Sequence, residues 1–314
     1  MNSPALLEVE HLQVYYGTRK RWVRAVEDVS FEIVRGQRMG LVGESGCGKS
    51  TVARAVLRLL PPANKEVSGR ILFDGVDLLS ASEEEIRTTR GARISMLFQD
   101  PMTFLNPVMR VGDQIAEAVM AHSDAGRHAA RDRARDCLEL VKMPSPSKIL
   151  SYFPHQLSGG MRQRAMMAMA LSCGPELIIL DEPTTALDVL VQYEILEMLK
   201  ELNRQLDLTM LVISHDLAVV ANLCETVAVM YAGNIVEKST TREILENSLH
   251  PYSTGLLESF PQLEGRERLQ AIQGNVPDLS APPDGCRFHP RCPRAMEVCE
   301  SDPPSLLELS LIHI

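Results

Sequence analysis

Residues Val42–Thr51, VGESGCGKST, decide the fold. Just upstream, Met39-Gly40-Leu41-Val42 is apolar and reads as a buried strand; downstream, a helical pattern runs to Leu60. Between them Gly43, Gly48, Lys49 and Ser50 complete the spacing G-x4-G-K-[ST] in its strand–loop–helix context. Glycines at Gly43, Gly46 and Gly48 let main-chain N–H groups turn inward around phosphate oxygens, and the helix start adds a partial positive charge. Lys49 is placed to reach the β- and γ-phosphates, and the Ser50 hydroxyl to ligate Mg²⁺. The plain alternative is a glycine-rich turn that happens to precede a helix, and the apolar strand on one side with the helix on the other argues against it. Gly43, Glu44, Ser45, Gly46, Cys47, Gly48, Lys49, Ser50 and Thr51 are therefore the candidate nucleotide-binding loop, and a nucleoside triphosphate is the expected ligand.

Working outward, the same strand-then-polar pattern recurs. Leu177–Leu180 is an apolar run that lands on Asp181-Glu182, and Met210–Ser214 lands on His215-Asp216. Ile94–Phe98 ends in Gln99-Asp100-Pro101. Helical periodicity covers Val191–Leu206 and Leu217–Leu223, with a further strand at Val227–Tyr231, which together predict an α/β core with polar residues at the carboxyl ends of its strands. Before the loop, Leu6–Tyr15 alternates and Val29–Val34 is a second strand, predicting antiparallel pairing. Ser82–Arg87 carries a capping-box pattern. Helical patterns at Val111–Ala121, Ala129–Val141 and Gly160–Leu171 predict a helical insert over about 105–173. Beyond Gly233 the pattern is less regular, and from Asn275 the chain is rich in proline and glycine, predicting an irregular appendix.

Two adjacent carboxylates at the end of a buried strand are costly unless they meet a cation or a reacting group. Beside a phosphate loop, Asp181 fits a Mg²⁺ partner and Glu182 the base that polarises an attacking water; a helix cap is the simpler alternative. Gln99 has an amide that can ligate Mg²⁺ or hold a water, and His215, on the same sheet edge, is placed to contact a γ-phosphate. Leu157–Met161, LSGGM, opens a helix and gives a second anion-binding turn at Ser158, Gly159 and Gly160, a weak signal in isolation. Methionines Met161, Met166, Met167 and Met169 read as core filler. Tyr16 either stacks on an adenine ring or packs its strand.

The composition excludes several classes. The 314 residues carry a net charge of −9, which argues against broad nucleic-acid binding. No apolar run approaches the roughly 18 residues of a bilayer span, and no basic-plus-apolar signal peptide is read at the start. Membrane association is thus expected through a partner. Of seven cysteines, Cys47, Cys137, Cys173 and Cys224 are scattered singly and suit reduced, partly buried thiols.

Taken together, these segments resemble the ATP-binding cassette (ABC) ATPase family. GESGCGKST resembles its Walker A loop, FQD its Q-loop, LSGGM its signature, LIILDE its Walker B strand, TALD (Thr185–Asp188) its D-loop and ISHD (Ile213–Asp216) its switch histidine. The implied fold is an α/β P-loop ATPase: a RecA-like parallel sheet, an antiparallel β subdomain and an inserted helical subdomain. Head-to-tail pairing is implied too, so that Ser158, Gly159 and Gly160 act on the partner's ATP, with Asp188 at the same interface. Catalytic roles are implied for Glu182, His215 and Gln99, a Mg²⁺ set of Ser50, Gln99 and Asp181, and adenine stacking by Tyr16. ISMLFQDPMTFLNPVMRVGDQI, PHQLSGGMRQRAMMAMAL, DEPTTALDV and HPYSTGLL are similar to the oligopeptide/dipeptide importer subunits, with FQDPMT nearer their D-type. That resemblance implies import of peptides, or of nickel complexes, at the cytoplasmic face of a bacterial or archaeal membrane. It implies as partners an F-type ATPase subunit or a second copy, two permeases and an extracytoplasmic binding protein, with no nucleic acid. The expected division is an ATPase domain over 1–255 and a transporter-type carboxyl-terminal region over 256–314. A non-transport ABC ATPase, such as a DNA-repair or translation factor, is the rival; a P-loop kinase or GTPase leaves LSGGM unexplained.

Cys286, Cys292 and Cys299 are spaced C-x5-C-x6-C with His289 between, matching neither the usual zinc pattern nor a ferredoxin run. Spacing alone leaves open a metal site or free thiols. The family resemblance implies a [4Fe–4S] cluster on four cysteines, of which a fourth is missing here. The apolar ending Leu309–Ile314 is unlike the family's tail and reads as a truncated or foreign terminus.

Overall fold

The computed structural model describes residues 4–18, 21–62, 64–99, 104–185, 187–259 and 272–307. Asp100 and Pro101 of the Q-loop segment, Ala186 within the D-loop segment and the ending Leu309–Ile314 lie outside the described residues. Among the described residues ten strands run in chain order as β1 (Ala5–Gly17), β2 (Trp22–Val34), β3 (Arg38–Val42), β4 (Lys65–Phe73), β5 (Val76–Asp77), β6 (Ile94–Leu97), β7 (Leu177–Asp181), β8 (Thr209–Ser214), β9 (Thr226–Tyr231) and β10 (Asn234–Thr240).

They form two sheets. The antiparallel one has the order β2-β1-β4-β5, and the other the order β10-β9-β3-β8-β7-β6, parallel except for β10. The central strands read as unbroken apolar runs because both faces are covered. Leu41 of β3, Ile179 of β7 and Ile213 of β8 point into one core, with helix Lys49–Val56 and the inner face of the antiparallel sheet. Val42, Leu180 and Val212 point into the other, under helices Gly159–Leu171 and Val189–Leu206. Between β6 and β7 the insert holds helices Val111–Ala121, Arg127–Leu140 and Gly159–Leu171. Ser82 caps helix Glu83–Thr89 in a full capping box with Glu85.

A four-membered charge cluster ties the sheets where β3, β6 and β7 begin. Arg35 and Arg93 each reach both Asp74 and Glu176, at 2.5–2.7 Å. Hydrogen bonds from Arg93, then from Arg35, outweigh burial and hold the Glu176 carboxyl below its ordinary value.

The chain is more regular after Gly233 than its sequence predicts. β10 pairs antiparallel on the sheet edge, and helices Thr241–Asn247 and Pro251–Glu258 follow. An edge strand exposes one side, so its sequence NIVEKST carries no clear alternation. The division expected between residues 255 and 256 falls inside helix Pro251–Glu258. Tyr252, Leu256 and Phe288 are buried in one core, so described residues on both sides of that division pack together.

Candidate active site

The parallel register fixes which residues meet. Val42 ends β3 opposite Ser214 of β8, and Asp181 ends β7 opposite Ile213, so the phosphate loop, His215 and Glu182 emerge at one sheet edge. Leu97 of β6 lies opposite Leu180, which brings Gln99 to the same edge. This is the carboxyl-end crevice where open α/β sheets bind ligands. A cleft of about 470 Å³ opens there, lined by Glu44, Ser45, Gln99, Glu182, Thr185, His215, Leu256 and Ser259.

The loop's glycines have separate reasons. Gly48 has φ +110°, and a Cβ there would lie 2.3 Å from the Ala25 carbonyl oxygen. Gly43 has φ +155°, with the Met230 carbonyl oxygen 2.1 Å from a Cβ position. Gly46, φ +82°, faces open space. Two glycines are thus demanded by packing and one by conformation alone. Lys49 is buried, its ammonium donating to the carbonyls of Gly43 (2.7 Å) and Glu44 (2.9 Å). The loop is closed around a cation whose partners are carbonyl dipoles, which fits a triphosphate. Burial pushes the Cys47 thiol up in spite of Lys49 beside it, so Cys47 fills space as a neutral thiol.

Ser50 Oγ donates to Asp181 Oδ1 at 3.1 Å. Asp181 is 3% exposed, and burial raises its pKa against the Ser50 hydrogen bond. A buried carboxylate and a hydroxyl at the phosphate loop are a hard oxygen donor set that fits Mg²⁺. Gln99, the third expected ligand, donates its amide N–H to Glu182 Oε2 at 3.1 Å, a bond that does not use its carbonyl oxygen.

Glu182 is the most constrained residue of the site. It holds φ +52°, rare for a side-chain-bearing residue, and its N–H donates to the Ile213 carbonyl at 2.9 Å. Oε2 accepts from Gln99 and from Thr185 Oγ1 (2.8 Å), while Oε1 pairs with His215 Nδ1 at 2.9 Å. Burial pushes this carboxyl up, but hydrogen bonds from His215 and Thr185, with the charges of His215 and Lys49, outweigh it and lower its pKa. Glu182 is therefore an ionised carboxylate aimed into the cleft.

The second anion-binding turn is absent from the cleft lining. Ser158 caps helix Gly159–Leu171 by accepting from Met161 N–H at 3.3 Å, and Ser158, Gly159 and Gly160 do not line the cleft. Asp188 caps helix Val189–Leu206 by accepting from Val191 N–H at 3.0 Å. Tyr16 pairs with Val23 and Lys65 at the end of β1 and packs against the core.

A family model for ABC transporters matches residues 26–185, and a second, for the oligopeptide/dipeptide transporter C-terminal region, matches residues 236–299. Over 298 residues the chain is 49% identical to the dipeptide transport ATP-binding protein DppD of Bacillus subtilis (strain 168), spanning 94% of this chain and 89% of that protein. Over 303 residues it is 47% identical to the oligopeptide transport ATP-binding protein OppD of Escherichia coli (strain K12), spanning 96% and 90%. This chain belongs to the ABC transporter family.

The ABC fold is shared with a dimeric ATP-binding cassette solved in a post-hydrolysis state bound to ADP and Pi. The TM-score is 0.67 at 25% identity, over 75% of this chain and 99% of that one. Chemically, this ABC subunit is an ATPase that takes ATP and Mg²⁺. Among the described residues no helix is long and apolar enough to cross a membrane.

The iron–sulfur expectation finds no support. Cys286, Cys292 and Cys299 are free thiols, and among the described residues no group of three or more His, Cys, Asp or Glu is placed to hold a metal ion. Cys286 N–H donates to the Cys299 carbonyl, His289 Nδ1 lies 2.9 Å from the Cys286 carbonyl, and Cys292 Sγ accepts from Arg294 N–H at 3.4 Å. Burial, chiefly, raises the Cys286 thiol pKa.

Sequence reasoning missed four contributors. Thr185 stood inside the D-loop segment, three residues after Glu182, but its hydroxyl bond shows only in three dimensions. Leu256 and Ser259 form a cleft wall from a helix outside the motifs. Gln163, 3% exposed, donates to the Pro183 carbonyl at 2.6 Å and so ties the LSGGM helix to the strand end bearing Glu182.

Proposed function

We propose that this subunit hydrolyses ATP to power import of oligopeptides, dipeptides or related solutes such as nickel complexes. The observation that carries the chemistry is the ionised Glu182, fixed by Gln99, Thr185 and His215 beside the phosphate loop. The cargo class rests on the match of residues 236–299 to a transporter C-terminal region, which also argues against a DNA-repair or translation factor.

On this reading the loop N–H groups and Lys49 hold the β- and γ-phosphates, and Tyr16 stacks on the adenine. Mg²⁺ held by Ser50, Asp181 and Gln99 would supply charge neutralisation between the β- and γ-phosphates. Glu182 takes the proton of the attacking water; a positioned base contributes about 10²–10⁴-fold. His215 and Thr185 keep its carboxylate charged and aligned. The turn at Ser158, Gly159 and Gly160, with Asp188, completes the nucleotide site of a second cassette, which fits its absence from the lining of this chain's own cleft. That cassette is an F-type subunit or a second copy. Two membrane permeases and an extracytoplasmic peptide-binding protein complete the machine, with this subunit peripheral on the cytoplasmic face of the membrane.

Glu182→Gln tests the reading. In the assembled transporter it should keep ATP bound, lower kcat by about 10²–10⁴-fold and abolish peptide uptake into proteoliposomes. Unchanged turnover in that variant would remove the base assignment, and uptake of no peptide by the wild-type complex would remove the cargo assignment.

A further inference from the structure

Two side chains from the carboxyl-terminal part of the chain grip the phosphate loop at Glu44. Glu44 N–H donates to the Tyr252 hydroxyl at 2.9 Å. Its carboxylate receives both arms of the Arg291 guanidinium, at 2.7 and 3.0 Å. The Arg291 side chain is only 5% exposed and also donates to the Tyr231 hydroxyl (3.3 Å) and the Gln273 carbonyl (2.9 Å). The hydrogen bonds to Glu44, foremost, push its pKa further up, so the guanidinium is permanently charged.

The arm bearing Tyr252 is locally rigid. His250 caps helix Pro251–Glu258, its Nδ1 accepting from Tyr252 N–H at 3.1 Å, and Pro251 occupies the first turn, where a missing N–H costs nothing. The rings of Tyr231, Tyr252 and Phe288 pack with centroids 4.6–5.4 Å apart. The same helix supplies Leu256 to the cleft wall. Glu44 itself lines the cleft. An unpaired carboxylate there would repel a triphosphate; paired with Arg291, it does not.

We propose that Arg291 and Tyr252 are positioning residues for ATP, fixing Glu44 and masking its charge, so that the carboxyl-terminal region sets the subunit's affinity for nucleotide. The proposal rests on the loop being the triphosphate site.

The test measures the ATP Kd of the full chain, KM and kcat in the assembled transporter, and the melting temperature. Arg291→Met should raise Kd and KM about tenfold, the scale of one unpaired charge facing a polyanion in a cleft, with kcat within about twofold. Arg291→Lys, which keeps the charge and loses the paired geometry, and Tyr252→Phe, which removes one acceptor, should each raise Kd about threefold by the same reasoning. Glu44→Gln combined with Arg291→Met should recover most of the lost affinity, because no unmasked carboxylate remains. A melting temperature that falls while Kd and KM stay at wild-type values would overturn the proposal, since that is what scaffolding alone predicts. Should Arg291→Met fail to fold, unchanged Kd in both Arg291→Lys and Tyr252→Phe would overturn it equally. Lys49→Ala separates the two readings: ATP binding lost in Lys49→Ala but intact in Arg291→Met removes only the positioning role, and binding intact in both removes the loop assignment.

Discussion

The chain has two glycine-rich turns that open helices, and they are built in opposite ways. Around Gly43–Gly48, left-handed backbone and close main-chain contacts leave no alternative to glycine, and β1–β2, β9 and the carboxyl-terminal helix all press on the loop. Around Ser158–Gly160 no residue has positive φ, the Ser158 hydroxyl caps its own helix, and a Cβ on Gly159 would come no nearer than 3.8 Å to the Leu187 side chain. The first turn is a finished receptor held by its own chain. The second is a self-sufficient helix start, open at Gly159 and packed on Val191 at Gly160. On the proposed reading the first turn binds ATP in cis and the second meets the ATP of another cassette.

The largest expected effect separates them directly. Gly48→Ala must place a methyl group 2.3 Å from a backbone oxygen at φ +110°. Conformational strain and overpacking together should cost about 2–5 kcal/mol of stability, with ATP binding lost, read by thermal melting and nucleotide titration. A Gly48→Ala protein with wild-type melting and affinity would break the contrast at its stronger end.

The sequence showed the first turn plainly and the second only through resemblance, for a physical reason. Main-chain phosphate binding needs glycine at fixed spacing, and the flanking strand and helix repeat the message. So do the strands of the core: Leu177–Leu180 and Met210–Ser214 are unbroken apolar runs because helices cover both faces of their sheet, and their polar ends Glu182 and His215 converge as the spacing implied. What stayed illegible depends on side chains that reach far along the chain. Arg291 touches Glu44 across 247 residues and Gln163 touches Pro183 across 20, and nothing local marks either residue. The edge strand Asn234–Thr240 hid for a different reason, since one exposed side blurs its alternation. Cys286, Cys292 and Cys299 show the opposite failure. Spacing left a metal site and free thiols open, the resemblance implied a cluster, and among the described residues no group is placed to hold a metal ion.

The second turn gives an intermediate effect. Gly160→Ala meets Val191 Cγ1 at 2.7 Å, the end of a side chain that can turn aside, so a net loss on the order of 1 kcal/mol is expected once the helical gain of alanine is counted. Gly159→Asp should leave stability unchanged or raise it by about 0.3–1 kcal/mol, since a carboxylate suits the first turn of a helix. The same charge should nevertheless suppress hydrolysis of ATP held by the other cassette. Mixing this variant with an intact second subunit and assigning the inactive site decides where the turn acts. Inhibition confined to the mutant's own Lys49 site would invert the comparison.

The smallest effect concerns pH and reaches only the first turn. His250 carries the helix whose Tyr252 braces Glu44, and burial, against the raising influence of Glu237, lowers its pKa below the ordinary 6.5. Its Nδ1 must be unprotonated to accept from Tyr252 N–H. The unfolded chain therefore binds this proton more readily than the folded one. The stabilisation is complete above pH 6.5 and is lost as pH falls from there toward the folded value. His250→Asn keeps an acceptor for the cap and removes the titration. Between pH 7.5 and 5.5, wild type should lose about a degree of melting temperature more than this variant, with its ATP affinity weakening in parallel, while the helix at Ser158, which has no titrating cap, keeps its hydrogen-exchange protection. Equal pH dependence in the two proteins would show that His250 places Tyr252 by packing alone, and the brace on the phosphate loop would then be insensitive to acid.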